Sequence, residues 1–270
     1  MTINERLSVL SCLMEFLFKN LNPRQVEAVS QITGATLVLA GAGSGKTTVL
    51  TRRVAYLISQ GVVPGKILCL TFTNKAAREM YQRVQQLLQQ LNFHLPVVPP
   101  WQTDYINVPL LCTFHSLGAR LLREFGEYVG LTKDFTILDD DDRKKIGKQL
   151  LQEMNLDSKV YPVTLMLHFV SQCKQELLTA SQSHQLPNQD YPPVFHNFYK
   201  LYERTLQASK AVDFDDLLLL PYLIISQNSE VQKILLNRWH HIMVDEFQDT
   251  NTAQFALIKL LAPAEWLDKS

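Results

Sequence analysis

The stretch that most constrains what this chain can become is Ala40, Gly41, Ala42, Gly43, Ser44, Gly45, Lys46 and Thr47. An apolar run over residues 36–40 leads into it, as a buried parallel strand would. Residues 47–59 follow with helical spacing through Leu50, Val54, Leu57 and Ile58, and Gly61 is a natural stop. A strand, a glycine-rich turn and a helix start in this order form a phosphate cradle. The glycines let backbone N–H groups point inward, and the helix N-terminus adds a favourable dipole. Lys46 then reaches the outer phosphates of a nucleotide, and the Thr47 hydroxyl can ligate Mg²⁺. The strict motif has glycine where Ala40 stands. An ordinary glycine-rich turn is the plainer reading, but such a turn has no need of lysine and threonine at the helix start.

A second feature complements the first. Residues 241–244 are an apolar strand candidate that delivers Asp245 and Glu246 at its end. In a phosphate-loop fold Asp245 would hold Mg²⁺, and Glu246 would orient and deprotonate the attacking water. A strand ending in two acids is common by itself. Its weight comes from the pairing with the loop, because binding a nucleotide without hydrolysing it does not need the second acid.

The remaining pattern is α/β at both ends and helical between. Residues 66–71 and 108–113 are further strand candidates, and a helix is expected over 75–91. Residues 94–109 are proline-rich and read as a loop, with Trp101 a packing anchor. Between 117 and 211 only helices are expected, over 117–128, 139–154, 163–178 and 193–209. A further helix is expected over 214–225, and another over 252–261. Alternating strands and helices imply a parallel sheet covered on both faces.

Charge and cysteine usage narrow the setting. Basic and acidic residues balance at 26 each, so no global field announces a nucleic-acid partner. The charge is segregated, however. Between residues 41 and 91 stand Lys46, Arg52, Arg53, Lys66, Lys75, Arg78 and Arg83 against Glu79 alone. Cys12, Cys69, Cys112 and Cys173 are scattered without a CxxC pair and read as buried free thiols. Residues 9–18 read as a short amphipathic helix, and the apolar stretch 217–225 is too short to span a bilayer. A soluble, cytoplasmic protein with no membrane association is expected. The acids at 139–142 read as a helix N-terminus, and His240 and His241 as structural.

Together these residues resemble the UvrD/Rep-type superfamily 1 DNA helicases. Asp245, Glu246, Gln248, Asp249 and Asn251 match their DExQDxN stretch, and residues 40–47 match their AGAGSGKT loop. Leu21 to Gln25 looks like their adenine-reading motif. Residues 71–77 and 113–116 look like their single-strand-contacting motifs, and 134–138 and 212–216 like stretches flanking a helical insertion. The resemblance runs from Leu21 to about Leu261. It implies a P-loop RecA-like parallel sheet over residues 1–117 and 212–270, interrupted by an all-helical inserted subdomain over 118–211. It also implies ATP and Mg²⁺ as cofactors and single-stranded DNA as partner. Gln25 would read the adenine edge, Phe72 would stack on a base beside Thr73, Asn74 and Lys75, and Thr113 and His115 would touch the strand. Gln248 would join the nucleotide-sensing network.

Thr48 departs from the family, in which many relatives carry arginine, and weaker nucleotide binding is implied. By the same resemblance, relatives continue past the position of Ser270 into a second RecA-like domain carrying arginine fingers. The expectation is therefore an ATP-binding N-terminal half of a 3′ to 5′ helicase that hydrolyses ATP very slowly alone and leans on a chain carrying the missing half. A non-motor ATP- and DNA-binding module and an inactive remnant are the alternatives left open by the sequence.

Overall fold

The computed structural model describes residues 14–41, 43–93, 95, 107–187 and 190–263. Cys12, Trp101 and most of the proline-rich stretch lie outside them, as do Ala42 and the first part of the helix expected over 9–18. In chain order the elements are α1 (Pro23–Ser30), α2 (Lys46–Ser59), β1 (Ile67–Thr71), α3 (Asn74–Gln90), β2 (Leu110–Thr113), α4 (Phe114–Phe125) and β3 (Thr136–Ile137). They continue with α5 (Asp140–Glu153), α6 (Val163–Gln175), α7 (Pro193–Ala208), β4 (Ala211–Val212), α8 (Asp216–Gln227), α9 (Ser229–Arg238), β5 (His241–Val244) and α10 (Thr252–Leu261). Two compact units emerge, one of residues 1–113, 235–248 and 262–270, the other of 114–234 and 249–261.

The first unit is built on a parallel sheet of order β2-β1-β5. Leu68 lies opposite Leu110 and Ile242, and Leu70 opposite Cys112 and Val244. Every residue of β1 is buried, which is why its sequence is a nearly continuous apolar run rather than an alternating one. Its core gathers Leu57, Ile67, Cys69, Met80, Val84 and Leu88 from α2, β1 and α3, all fully buried. Helix ends follow local chemistry. Gly61 leaves α2 at φ +90 while the amide of Val62 reaches back to Leu57, and Asn92 does the same for α3 at φ +59 with Phe93 reaching Leu88. Both are left-handed C-terminal caps, and asparagine tolerates that conformation better than most side chains.

The strand expected over residues 36–40 is not formed. That segment is extended coil outside the sheet, with Leu37 69% and Leu39 85% exposed. β2 and β5 are the two edges of the sheet, and the run pairs with neither. Strand formation depends on cross-strand partners and burial rather than on the backbone's own preference, so an apolar run without a ladder stays coil.

The second unit is mainly helical. Its core packs Phe169, Phe198, Tyr199 and Tyr202, all fully buried, against Leu150, Leu151 and Met166. Asp139 caps α5 by accepting from the amides of Asp141 and Asp142 at 2.9 and 2.8 Å, as the acid run suggested. Helices alone were expected between 117 and 211, but β3 and β4 pair in parallel there, Thr136 with Ala211 and Ile137 with Val212. Two-residue strands 75 positions apart leave no periodicity to read, so only the tertiary fold reveals them. α8 keeps Pro221 in its interior, and Gly118 on α4 lies so close to it that an added Cβ would sit 1.7 Å from the Leu217 carbonyl oxygen.

A buried charge cluster joins α5, α6, α7 and α8. Lys174 Nζ lies 2.6 Å from Asp216, 2.8 Å from Glu203 and 3.0 Å from Asp213. Arg143 adds contacts to Asp213 and Asp215 and hydrogen bonds to Tyr202 and Ser171. Asp213 and Asp216 also exchange backbone–carboxylate bonds at 3.0 and 2.9 Å, so the chain turns into α8 at Asp216, two residues later than its apolar pattern implies.

Candidate functional site

α2 begins directly after Gly45, which sits in the left-handed region at φ +87. Gly43 is also left-handed, at φ +73. The loop is closed on itself, the Ser44 hydroxyl donating to the Gly41 carbonyl at 2.6 Å. Lys46, the first residue of the helix, turns back over the loop and donates to the carbonyls of Ala40 and Gly41 at 3.1 and 3.4 Å. Thr47 follows in the first helical turn, half-buried.

β5 brings the acids to this loop. The Asp245 amide donates to the Leu70 carbonyl at 2.9 Å, which carries the ladder one residue past the strand and leaves Asp245 8% exposed. Burial first, and the neighbouring Glu246 second, raise the pKa of Asp245 above the usual carboxylate value, while Lys46 works the other way. Glu246 has φ +51, a conformation that costs a non-glycine residue roughly 1–3 kcal/mol and clusters at functional positions. Its carboxylate lies 4.0 Å from Lys46 Nζ and accepts a 2.6 Å bond from the Gln248 amide. Lys46 and Glu246, 200 residues apart in sequence, thus face each other.

Gln25 also reaches the loop. It is the third residue of α1, where it forms a reciprocal cap with Asn22: each backbone amide donates to the other's side chain at 2.9 Å. Its amide nitrogen donates to the Ser44 carbonyl at 3.0 Å. An amide carries two hydrogens and two lone pairs, so these bonds take half of its capacity.

The residues with a nucleic-acid reading sit at the carboxyl ends of the strands. Phe72 follows β1 and is half-buried, and Thr113 ends β2 beside Thr71 and is buried. Thr73 caps α3, its hydroxyl accepting from the Ala76 amide at 3.1 Å. Asn74 and Lys75 are exposed in the first turn of α3, with Lys75 4.0 Å from Glu79. His115 belongs to the helical unit, where its ring stacks on Phe214 with centroids 4.0 Å apart. Burial lowers the His115 pKa, against a smaller opposing pull from Asp215. Phe214 is 51% exposed, and sequence reasoning missed it. An aromatic flanked by Asp213 and Asp215 was the available signal. Asn251 proves to be a helix cap, exchanging backbone–side-chain bonds with Gln254 at 3.2 and 2.9 Å.

The donor set fits a nucleotide with Mg²⁺. Among the described residues no group of three or more His, Cys, Asp or Glu could hold a metal by itself. Mg²⁺ is typically held by one or two carboxylates together with substrate phosphates, which Thr47, Asp245 and the loop provide for. No helix of the described residues is long and apolar enough to cross a membrane.

The model of the UvrD/REP helicase N-terminal domain matches residues 21–266. The chain belongs to that family. It is 38% identical over 250 residues to the ATP-dependent DNA helicase PcrA of Staphylococcus aureus and 39% identical to that of Staphylococcus epidermidis. Each match covers 92% of this chain and 32% of the relative, so the chain spans about a third of the length of the curated relatives it matches. Within the matched residues fall the glycine-rich loop, both acids, Phe72 and Thr113.

Proposed function

We propose that this chain is the ATP-binding N-terminal part of an ATP-driven DNA helicase that moves 3′ to 5′ on single-stranded DNA. The observation that carries the reading is the approach of Lys46 to Glu246 at 4.0 Å, which assembles a phosphate-binding cation and a water-activating carboxylate from distant segments. Residues 40–47 cradle the phosphates, Lys46 neutralises charge on the outer ones, and Gln25 reads the adenine edge. Thr47 and Asp245 hold Mg²⁺, which when bound neutralises phosphate charge. Glu246, held by Gln248, orients the attacking water and takes its proton.

In the first unit the carboxyl ends of β1 and β2 offer Phe72 to stack on a base, with Thr73, Asn74, Lys75 and Thr113 at the strand's backbone; His115 also touches the strand. Aromatic faces with polar and cationic neighbours suit sequence-tolerant single-strand binding. Residues 118–211 act as an inserted helical subdomain of a RecA-like domain. Arginines from a second motor domain, in the same or a partner chain, complete the hydrolytic site, and the protein works in the cytoplasm.

The test is ATP turnover by the purified chain with and without single-stranded DNA, beside Glu246→Gln. Slow turnover that DNA stimulates and Glu246→Gln abolishes is the expected result. Turnover indifferent to both DNA and Glu246 would overturn the reading.

A further inference from the structure

Gln25 ties the start of α1 to the glycine-rich loop. Its amide nitrogen holds the Ser44 carbonyl at 3.0 Å, and the Ser44–Gly45 peptide is the last before α2. A trans peptide is planar, with its C=O and N–H on opposite sides. Drawing the Ser44 carbonyl towards Gln25 therefore turns the Gly45 N–H to the other side of the loop. Gly45 is left-handed at φ +87, and a Cβ there would come within 3.2 Å of the Gln25 amide nitrogen. The backbone conformation favours glycine, and an added Cβ would press on the Gln25 amide.

Gln25 is itself held from behind. Its side-chain oxygen accepts from the Asn22 amide, and the Asn22 side chain accepts from the Gln25 amide. Pro23 opens α1 between them, and Ala28 and Val29 of α1 are buried in the core that also holds Val49 and Val54 of α2. The start of one helix is thus a fixed bracket from which the phosphate loop of the next is tied.

We infer that Gln25 is a positioning residue for the phosphate cradle, acting on the Ser44–Gly45 peptide whether or not a base is present. This rests on the reading of residues 40–47 as a phosphate loop. It separates two roles: a base reader affects only ligands with adenine, whereas a brace affects any polyphosphate. When adenine does engage the remaining hydrogen and lone pair of Gln25, base and phosphates are joined through one side chain.

The experiment measures binding of inorganic tripolyphosphate and of ATP, both with Mg²⁺, to the full chain by calorimetry. Gln25→Met removes both bonds, and Gln25→Glu keeps the acceptor that caps α1 but loses the donor to Ser44. Lys46→Ala and Asn22→Ala serve as controls, with thermal melts of each variant. Both Gln25 variants should weaken tripolyphosphate by about 2- to 12-fold, the worth of one hydrogen bond, while Asn22→Ala, which keeps the Gln25 donor, changes it less. Tripolyphosphate affinity unchanged in Gln25→Met while ATP weakens would overturn the inference and leave Gln25 a base reader. An equal loss in Asn22→Ala would also overturn it, by assigning the effect to the helix cap. Wild-type binding insensitive to Lys46→Ala would instead sink the phosphate-loop reading itself.

Discussion

Lys174→Met should destabilise the helical unit by about 3–5 kcal/mol, the range for removing one partner of a buried ion pair. Lys174 is fully buried and lies within 3.0 Å of three carboxylates. Burial works against its charge, yet Asp216, Asp213 and Glu203 hold its pKa well above the usual lysine value. Burial also opposes ionisation of Asp213, but Lys174 and Arg143 hold that carboxyl below its ordinary value. Asp216, raised by burial and then by Asp213, is the member most inclined to keep a proton. Methionine fills the lysine's space but leaves Asp213 and Glu203 without the ammonium that balanced them. The sign of the pH effect follows from Asp213. A depressed carboxylate contributes stability above its unfolded value of about 3.9 and loses it as pH falls through the folded value. The variant lacks that contribution, so its deficit is full at pH 7 and shrinks as pH falls below about 4. The measurement is urea and thermal unfolding followed by circular dichroism, with the melting temperature at pH 7 lowered by roughly 6–20 °C. A variant within about 0.5 kcal/mol of wild type at pH 7, the range of an ordinary surface change, or a deficit as large below about pH 4 as at pH 7, would refute the reasoning.

Three further outcomes are expected. Lys46→Ala should weaken Mg·ATP binding by roughly 10- to 150-fold, as loss of a charge-assisted phosphate contact does, with the melting temperature nearly unchanged; calorimetry checks both. Phe72→Ala should cost about 1–3 kcal/mol in single-stranded DNA binding, and wild-type affinity should fall steeply with salt. An anisotropy titration flat in salt, or blind to the substitution, would contradict the nucleic-acid reading. Gly118→Ala places a Cβ 1.7 Å from the Leu217 carbonyl oxygen, so α4 and α8 must part at a cost of about 1–3 kcal/mol or more; unfolding at the wild-type urea midpoint would show that the helices give way freely.

Short-range features of this protein were legible in its residues alone. The glycines announced a tight turn into the helix that starts at Lys46, the apolar run before Asp245 announced a strand, and Asp139 announced a helix start. Each of these depends on neighbours within a few positions, through backbone conformation, periodicity or capping. The helices α1 and α9 escaped notice because one is a turn or two long and the other carries little amphipathic contrast.

Long-range pairing was decided by the tertiary structure. The run over residues 36–40 has the composition of a strand but hydrogen-bonds into no sheet, pairing with neither edge strand, β2 nor β5, and a strand exists only with a partner. Nothing local in the sequence marks Lys174 as buried, and only the convergence of α6, α7 and α8 encloses it with three acids. Gln25 and Ser44 are 19 positions apart, and Lys46 and Glu246 are 200 apart. Sequence specifies which groups a chain can offer, while close approach of distant ones depends on the packing of the elements that carry them.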